Sequence, residues 1–293
     1  MKSLCIFGEV LFDHFPDGKK VLGGAPFNVA WHLQAFGQAP CFISRVGDDG
    51  EGTAIIKAMQ NWGMSTDTLQ LDKTSPTGRV TVSFNNGEPE YKIETPCAYD
   101  KIEQTSSKID CGFFYHGSLA LREPKSRQSA EKLKAAGCGT VFMDVNLRDP
   151  WWHKDEIKSF LHDADWVKLN DDELLHLADE TIEDSQQGKR FLDTYDLQGL
   201  IITHGAEGAE VLLASGEKYS VKPQDINVTV VDTVGAGDAF TSIMIIGITN
   251  NWPLDITLRR AQDFASSLVQ QRGATVQDIN FYKQFIENWE PDF

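Results

Sequence analysis

No stretch of the 293-residue chain reaches the roughly 18 consecutive apolar residues of a membrane-spanning helix, so no span is expected. Basic runs are missing too. Lys+Arg number 27 against 43 Asp+Glu, a formal charge of −16. A nucleic-acid groove or an anionic membrane surface would need a local basic patch against that field, so neither is an expected partner. The acidic excess suits a neutral substrate, or an anionic one brought in with a metal ion. A Pro/Ser-rich linker, a low-complexity tract and an internal repeat are all absent, which favours one domain over residues 1–293 rather than two. The five cysteines, Cys5, Cys41, Cys97, Cys111 and Cys138, include no C-x-x-C pair and several lie in apolar runs. They are expected to be reduced core residues of a cytoplasmic protein. The first residues turn acidic at Glu9, too early for a signal peptide. Also missing are a Walker A loop, a G-x-G-x-x-G turn, H-E-x-x-H and G-x-S-x-G.

What is present is alternation. Short apolar runs at Leu4–Phe7, Cys41–Ser44, Phe113–His116, Val141–Asp144, Trp166–Leu169 and Leu200–Thr203 read as strands. Helical patterns lie between them at Phe27–Phe36, Gly52–Trp62, Ser126–Ala136, Lys154–His162, Glu173–Ala178 and Gln187–Tyr195, and the tail from Leu254 is helical as well. That order predicts an α/β fold with a mostly parallel sheet covered on both faces. Val10–Leu22 and Gly78–Glu94 break the pattern. Val80, Val82 and Phe84 alternate with polar residues, Asn85-Asn86-Gly87 supplies a turn, and Tyr91 and Ile93 resume the alternation. These segments predict antiparallel ribbon outside the main sheet, a flap over one edge.

Two glycine-rich segments carry chemistry. Asp232-Thr233-Val234-Gly235-Ala236-Gly237-Asp238 is expected to run from a strand end into a helix that starts near Asp238. Successive small residues at a helix start let backbone N–H groups converge on an anion. Asp238 has two roles open to it: an acidic residue in a first helical turn, or a base beside a phosphoryl group. The three small residues before it favour the second. Near the other end, Gly23-Gly24-Ala25-Pro26-Phe27-Asn28 places proline at a helix start, with the Asn28 amide free to reach a ligand or to make a cap-like contact.

Together these segments resemble the two signatures of the PfkB (ribokinase-like) family of carbohydrate kinases. Further similarities follow in order: Gly8–Asp13 to the opening strand of the fructokinase branch, Val46–Gly52 to the continuation of the first signature, Asp144–Arg148 to D-x-N-x-R, Asn170–Glu173 to N-x-x-E, and Thr203–Gly208 to the T-x-G-x-x-G nucleotide loop. One departure is Ile243, where the family places a small residue. The resemblance implies a three-layer α/β/α sandwich with a small β-sheet lid formed by roughly 11–22 and 77–95. It implies transfer of the γ-phosphoryl of ATP to a sugar hydroxyl, fructose to fructose 6-phosphate before other substrates. On that basis Asp238 is the base, and the N–H groups of Gly235, Ala236 and Gly237 form the anion hole. Asp13, Gly23, Gly24 and Asn28 hold the sugar. Thr203, Gly205 and Gly208 lie at the nucleotide with Asn170, and Arg148 contacts a phosphate or the acceptor. Asn170 and Glu173 organise Mg²⁺ through water, with a helix cap plus a solvated acid as the other reading of this pair. Asp232, with residues 271–274, matches the place where many relatives bind a monovalent cation, K⁺ among them. Pairing of lids implies a homodimer.

Other substrates and classes compete. A 2-keto-3-deoxygluconate kinase would need a cation in the pocket, with Arg79 or Arg122 as candidates. A nucleoside kinase would need an aromatic-lined base pocket. A non-catalytic sugar or nucleotide sensor is disfavoured by the intact Asp238 and glycine cradle. A dinucleotide oxidoreductase is disfavoured because Gly8 stands alone after the first strand.

Overall fold

Strands buried on both faces need apolar side chains on both faces, and the short runs of this chain supply them. The computed structural model describes residues 2–85, 88–105, 109–178, 184–223 and 229–289. In chain order its elements are β1 (Ser3–Phe7), β2 (Leu11–His14), β3 (Lys20–Gly23), α1 (Ala25–Ala35), β4 (Cys41–Gly47), α2 (Gly50–Asn61), β5 (Leu69–Asp72), β6 (Gly78–Asn85) and β7 (Glu88–Ile93). Then come β8 (Cys111–His116), α3 (Pro124–Ala135), β9 (Thr140–Asp144), α4 (Lys154–Leu161), β10 (Trp166–Asn170), α5 (Asp171–Leu177), α6 (Asp184–Thr194) and β11 (Gly199–Thr203). Last are β12 (Ala209–Leu213), β13 (Lys218–Val221), α7 (Ala236–Thr249), α8 (Leu254–Leu268) and α9 (Ile279–Trp289).

The main sheet has the order β13-β12-β11-β10-β9-β8-β1-β4-β5. From β5 to β11 every pairing is parallel, and β12 and β13 add an antiparallel edge. Two apolar cores cover its faces, one including Phe27, Phe42, Phe240 and Phe264, the other Phe7, Phe114, Leu169 and Leu200. The molecule is thus the expected three-layer sandwich. Ile243 is fully buried in α7, so the departure from a small residue is absorbed in the first core. From β1 the chain goes to β4 on one side, and β8 lies on the other. Such a reversal of strand order opens a crevice at the carboxyl ends, where ligands bind in open α/β sheets.

The expected ribbons form a second sheet of order β3-β2-β6-β7. Each hairpin is antiparallel, but β2 and β6 join in parallel. Residues 86–87 of the expected turn lie outside the described residues. Glu51, in the first turn of α2, ties this sheet to the main body. His14, Lys20 and Arg79 of the small sheet stand 2.8, 2.6 and 3.3 Å from its carboxylate.

Two expectations are corrected. The described residues immediately before Asp232, 229–231, form no strand. Val230, Val231 and Val234 are 58, 53 and 48% exposed, and the Val231 and Asp232 N–H groups donate to Val269 O at the end of α8. The apolar run is a surface loop whose backbone is satisfied by a helix end. Cysteine usage is also mixed. Cys5, Cys41 and Cys97 are free thiols, whereas Cys111 and Cys138 form a disulfide with Cα atoms 4.7 Å apart. Their spacing hides the pairing. Cys111 opens β8, Cys138 closes the turn before β9, and those strands are neighbours, with the Gly139 N–H donating to Cys111 O.

Candidate active site

The carboxyl ends of β1, β9, β10 and β11 open into one cleft of about 1280 Å³, with β2, β3 and β7 along one wall and the start of α7 along another. Gly235 is the N-cap of α7 at φ +82°, and a Cβ there would lie 2.4 Å from the Cβ of Ala274. Only glycine passes so close in that conformation. The tight passage aims the start of α7, and Asp238 in its first turn, into the cleft. α1 arrives from the opposite side. Its N-cap, Gly24, is at φ +109°, and a Cβ there would meet Glu9 O at 2.7 Å. This fixes α1 so that the Asn28 Nδ2 group donates to Asp238 Oδ2 at 2.8 Å.

Asp238 is held well above the usual carboxylate range, at about 6. Burial raises it, the Asn28 hydrogen bond lowers it, Asp144 raises it, and Lys168 and Arg148 lower it. Two more carboxyls face the same end of the cleft. Burial raises Asp13 to about 6 and Glu9 to about 7, and the exposed Arg148 opposes both shifts. Gly23 and Gly24 pave the floor between them.

Behind the start of α7 lies a buried ion pair. The Lys168 Nζ donates to both oxygens of Asp144 at 2.9 and 2.8 Å, and the Thr241 hydroxyl is 3.0 Å from Asp144 Oδ2. Lys168 Nζ would stand 3.4 Å from a Cβ on Gly237, which places a positive charge under the turn that opens α7. Sequence reasoning missed Lys168, although a lysine inside Trp166-Val167-Lys168-Leu169 was a visible signal, since lysine is rarely buried without a partner. It also passed over Glu9 except as part of a motif.

Asn170 and Glu173 form a capping box at the start of α5. Asn170 Oδ1 accepts from the Glu173 N–H, Glu173 Oε2 accepts from the Asn170 N–H, and Glu173 Oε1 accepts from the Leu147 N–H at 2.8 Å. This carboxylate thereby pins the loop that carries Arg148, while both residues still line the cleft. With each oxygen already taking an N–H, Glu173 fits a magnesium ion that keeps its water shell better than direct ligation. Among the described residues, no group of three or more His, Cys, Asp or Glu is placed to hold a bare metal.

Other expected residues divide. Thr203 and Asp232 line the cleft; Gly205, Gly208 and Ala236 do not. The Ala236 N–H donates to Thr233 O at 3.3 Å, so it is engaged within the turn. Gly208 makes room for β13, where a Cβ would meet Val221 O. Asp232 clasps two loops, accepting from the N–H groups of Val234 and Gly273, each at 3.0 Å. Both candidate cations for an acidic substrate are engaged elsewhere. Arg122 makes paired hydrogen bonds to Asp100, and Arg79 reaches Glu51.

Phosphorylating an alcohol calls mainly for positioning and charge stabilisation, with a carboxylate to take the hydroxyl proton. A carboxylate in the first turn of a helix, above a buried lysine, is of that kind, and the enzyme class is a phosphotransferase with an alcohol acceptor. The chain belongs to the pfkB family of carbohydrate kinases, which it matches over residues 3–279. Among curated proteins it is 30% identical to a probable chloroplastic fructokinase-6 of Arabidopsis thaliana, over 92% of this chain and 77% of that one. It is 29% identical to the fructokinase of Escherichia coli, over 84% of each. The fold is shared with the ATP-bound fructokinase of Xylella fastidiosa (TM-score 0.84, 23% identity, 98% of both chains). It is also shared with a Vibrio cholerae fructokinase bound to fructose, ADP and calcium (TM-score 0.78, 23% identity, 97 and 98% of the chains). The protein is a fructokinase-like sugar kinase in sequence and fold. No helix among the described residues is long and apolar enough to cross a membrane.

Proposed function

We propose that the protein transfers the γ-phosphoryl of ATP to a neutral sugar, D-fructose before others, giving fructose 6-phosphate. The observation that carries this reading is the meeting of Asn28 and Asp238 at 2.8 Å over the Gly23–Gly24 floor. Asp238 accepts the proton of the attacking hydroxyl. The N–H groups of Gly235 and Gly237, with Lys168 beneath, receive the charge on the transferred phosphoryl; Ala236 serves the turn instead. Asp13 and Asn28 take further hydroxyls, a carboxylate accepting and an amide doing both. The sheet of β2, β3, β6 and β7 acts as a lid that excludes water, the competing acceptor. The nucleotide lies toward Thr203, with Gly205 and Gly208 shaping the loop behind it. Asn170 stands at the phosphate end. Mg²⁺ neutralises phosphate charge when bound, and Glu173 is placed to hold its water shell.

A neutral substrate is favoured over a 2-keto-3-deoxy acid on a specific ground. Glu9, Asp13 and Asp238 crowd the sugar end, where Arg148 acts on all three, Lys168 also acts on Asp238 and Arg122 on Glu9, while Arg79 and Arg122 hold ion pairs with Glu51 and Asp100. The names of the fructokinase relatives point the same way. A V. cholerae fructokinase double mutant crystallised with fructose, ADP and a potassium ion is in keeping with a monovalent cation, and Asp232 with the 271–274 loop is the place proposed for it. Lid-to-lid pairing into a homodimer and a cytoplasmic location complete the proposal.

The test is ADP release over hexoses, pentoses, ketodeoxy acids and nucleosides, with Asp238→Asn as control. Fructose should give the highest kcat/KM, and the variant should lose about 10²- to 10⁴-fold, the range for a general base. Faster turnover of a nucleoside or an acidic sugar would reject the substrate, and an undiminished Asp238→Asn would reject the mechanism.

A further inference from the structure

At the floor of the cleft, Glu9 is only 3% exposed, yet its Oε2 has no hydrogen-bond partner among the described residues. Buried polar atoms are nearly always paired, and an orphaned carboxyl oxygen costs the full loss of its hydration. A residue there would be apolar if packing alone selected it. Glu9 is also held in place: Gly8 before it is fixed against Ile43 by a backbone hydrogen bond, and its own carbonyl lies directly under Gly24. Glu9 is nonetheless one of the residues that line the cleft.

Asn28 repeats the pattern. One N–H of its Nδ2 goes to Asp238, while its Oδ1 is buried and unpartnered among the described residues. Two unmet oxygens therefore flank the glycine floor. What satisfies an amide oxygen and a carboxyl oxygen at once is a ligand bearing more than one O–H. A carboxyl group serves in either form, accepting when ionised and donating when protonated.

We infer that Glu9 is a second sugar-binding carboxyl, whose Oε2 engages a hydroxyl other than the one Asp238 deprotonates, and that this contact decides which sugar is accepted. The inference rests on the sugar-kinase reading and narrows its substrate to polyols with a hydroxyl at that place. A site built to bond a hydroxyl rejects an analogue lacking it far more strongly than an apolar pocket rejects a missing methylene.

The experiment compares wild type, Glu9→Gln and Glu9→Ala on fructose and on its singly deoxygenated analogues, with ATP saturating. Glu9→Ala should raise the sugar KM about tenfold or more while the ATP KM stays within about twofold. One deoxy analogue should lose about tenfold or more in kcat/KM on wild type and under about threefold on Glu9→Ala, because the hydroxyl and its partner are removed together. Glu9→Gln, which keeps an oxygen and the volume, should recover part of the sugar affinity. If Glu9→Ala fails to fold, the same analogue comparison is read on Glu9→Gln, which should show a reduced penalty for that one analogue. An unchanged sugar KM, or equal penalties for every analogue on both proteins, overturns the inference and leaves Glu9 satisfied by buried water alone. Those outcomes leave the kinase reading standing. Wild type turning over no sugar at all would defeat both.

Discussion

Asn28 and Asp238 are 210 residues apart in the chain, yet their side chains meet at 2.8 Å where the starts of α1 and α7 converge. The amide donates to the carboxylate, so it favours the ionised form and opposes the burial that raises Asp238 to about 6. A base works only when ionised, so kcat/KM should fall by at least about tenfold per pH unit below about 6, more steeply where Asp13 is protonated with it. Asn28→Ala removes the opposing hydrogen bond. The acid limb should move to higher pH, with a larger loss at pH 6 than at pH 8. A pH–rate profile checks this, and equal losses at both would assign Asn28 to sugar binding alone.

The glycines before Asp238 should respond unequally to a methyl group. At Gly235 the φ is +82° and the added carbon would meet Ala274 Cβ at 2.4 Å, so Gly235→Ala strains the backbone and displaces the 274 loop. Its Tm should drop by roughly 2–8 °C, and activity should fall with it. At Gly237 the nearest atom is Lys168 Nζ at 3.4 Å, an ordinary contact. Gly237→Ala should keep its Tm within about 1 °C but lose kcat, since in the proposed mechanism the Gly237 N–H receives the charge of the transferred phosphoryl. Thermal unfolding beside steady-state kinetics separates the two.

This contrast shows what could be read in advance. Periodicity located the buried strands and most helices within a few residues, because a parallel strand such as β10 is apolar on both faces. The motif order located Asp238, Asn28 and the cleft. Three things were not legible. The residues before Asp232 looked like the end of a strand, and only the exposure of Val230 and Val231 reveals a loop. Cys111 and Cys138 pair through neighbouring strands that linear spacing does not report. Roles within a motif were blurred as well: Ala236 belongs to the turn, and the helix cap at Asn170 and Glu173 was one of two readings the sequence left open. Local sequence states which residue types are available, while long-range packing decides which lone pairs and N–H groups stay free.

Lys168 and Asp144 form a buried pair, with side chains 9 and 2% exposed, so removing one partner strands the other. Lys168→Met should destabilise the protein by about 3–5 kcal/mol, the cost of an uncompensated buried charge. The double variant Lys168→Met/Asp144→Asn should recover much of that stability, since no lone charge remains, while still lacking activity. Urea unfolding of wild type, Lys168→Met, Asp144→Asn and the double variant reads the coupling. Full additivity of the two substitutions would mean that the pair does not act as a unit.

Glu9 sets stability against function. Burial raises it from 4.5 to about 7, so between those values the folded chain holds a proton that the unfolded chain has released. Stability contributed by this group therefore falls as pH rises through that window, and above about 7 the folded protein carries the whole penalty of a buried charge. Glu9→Gln removes the charge. The variant should match wild type near pH 4.5 and exceed it by up to about 3 kcal/mol at pH 8, even as its sugar KM rises. Urea unfolding at the two pH values checks the sign. A variant less stable at pH 8 would mean that the ionised carboxyl is already paired in the free enzyme, and that its oxygen is not waiting for a ligand.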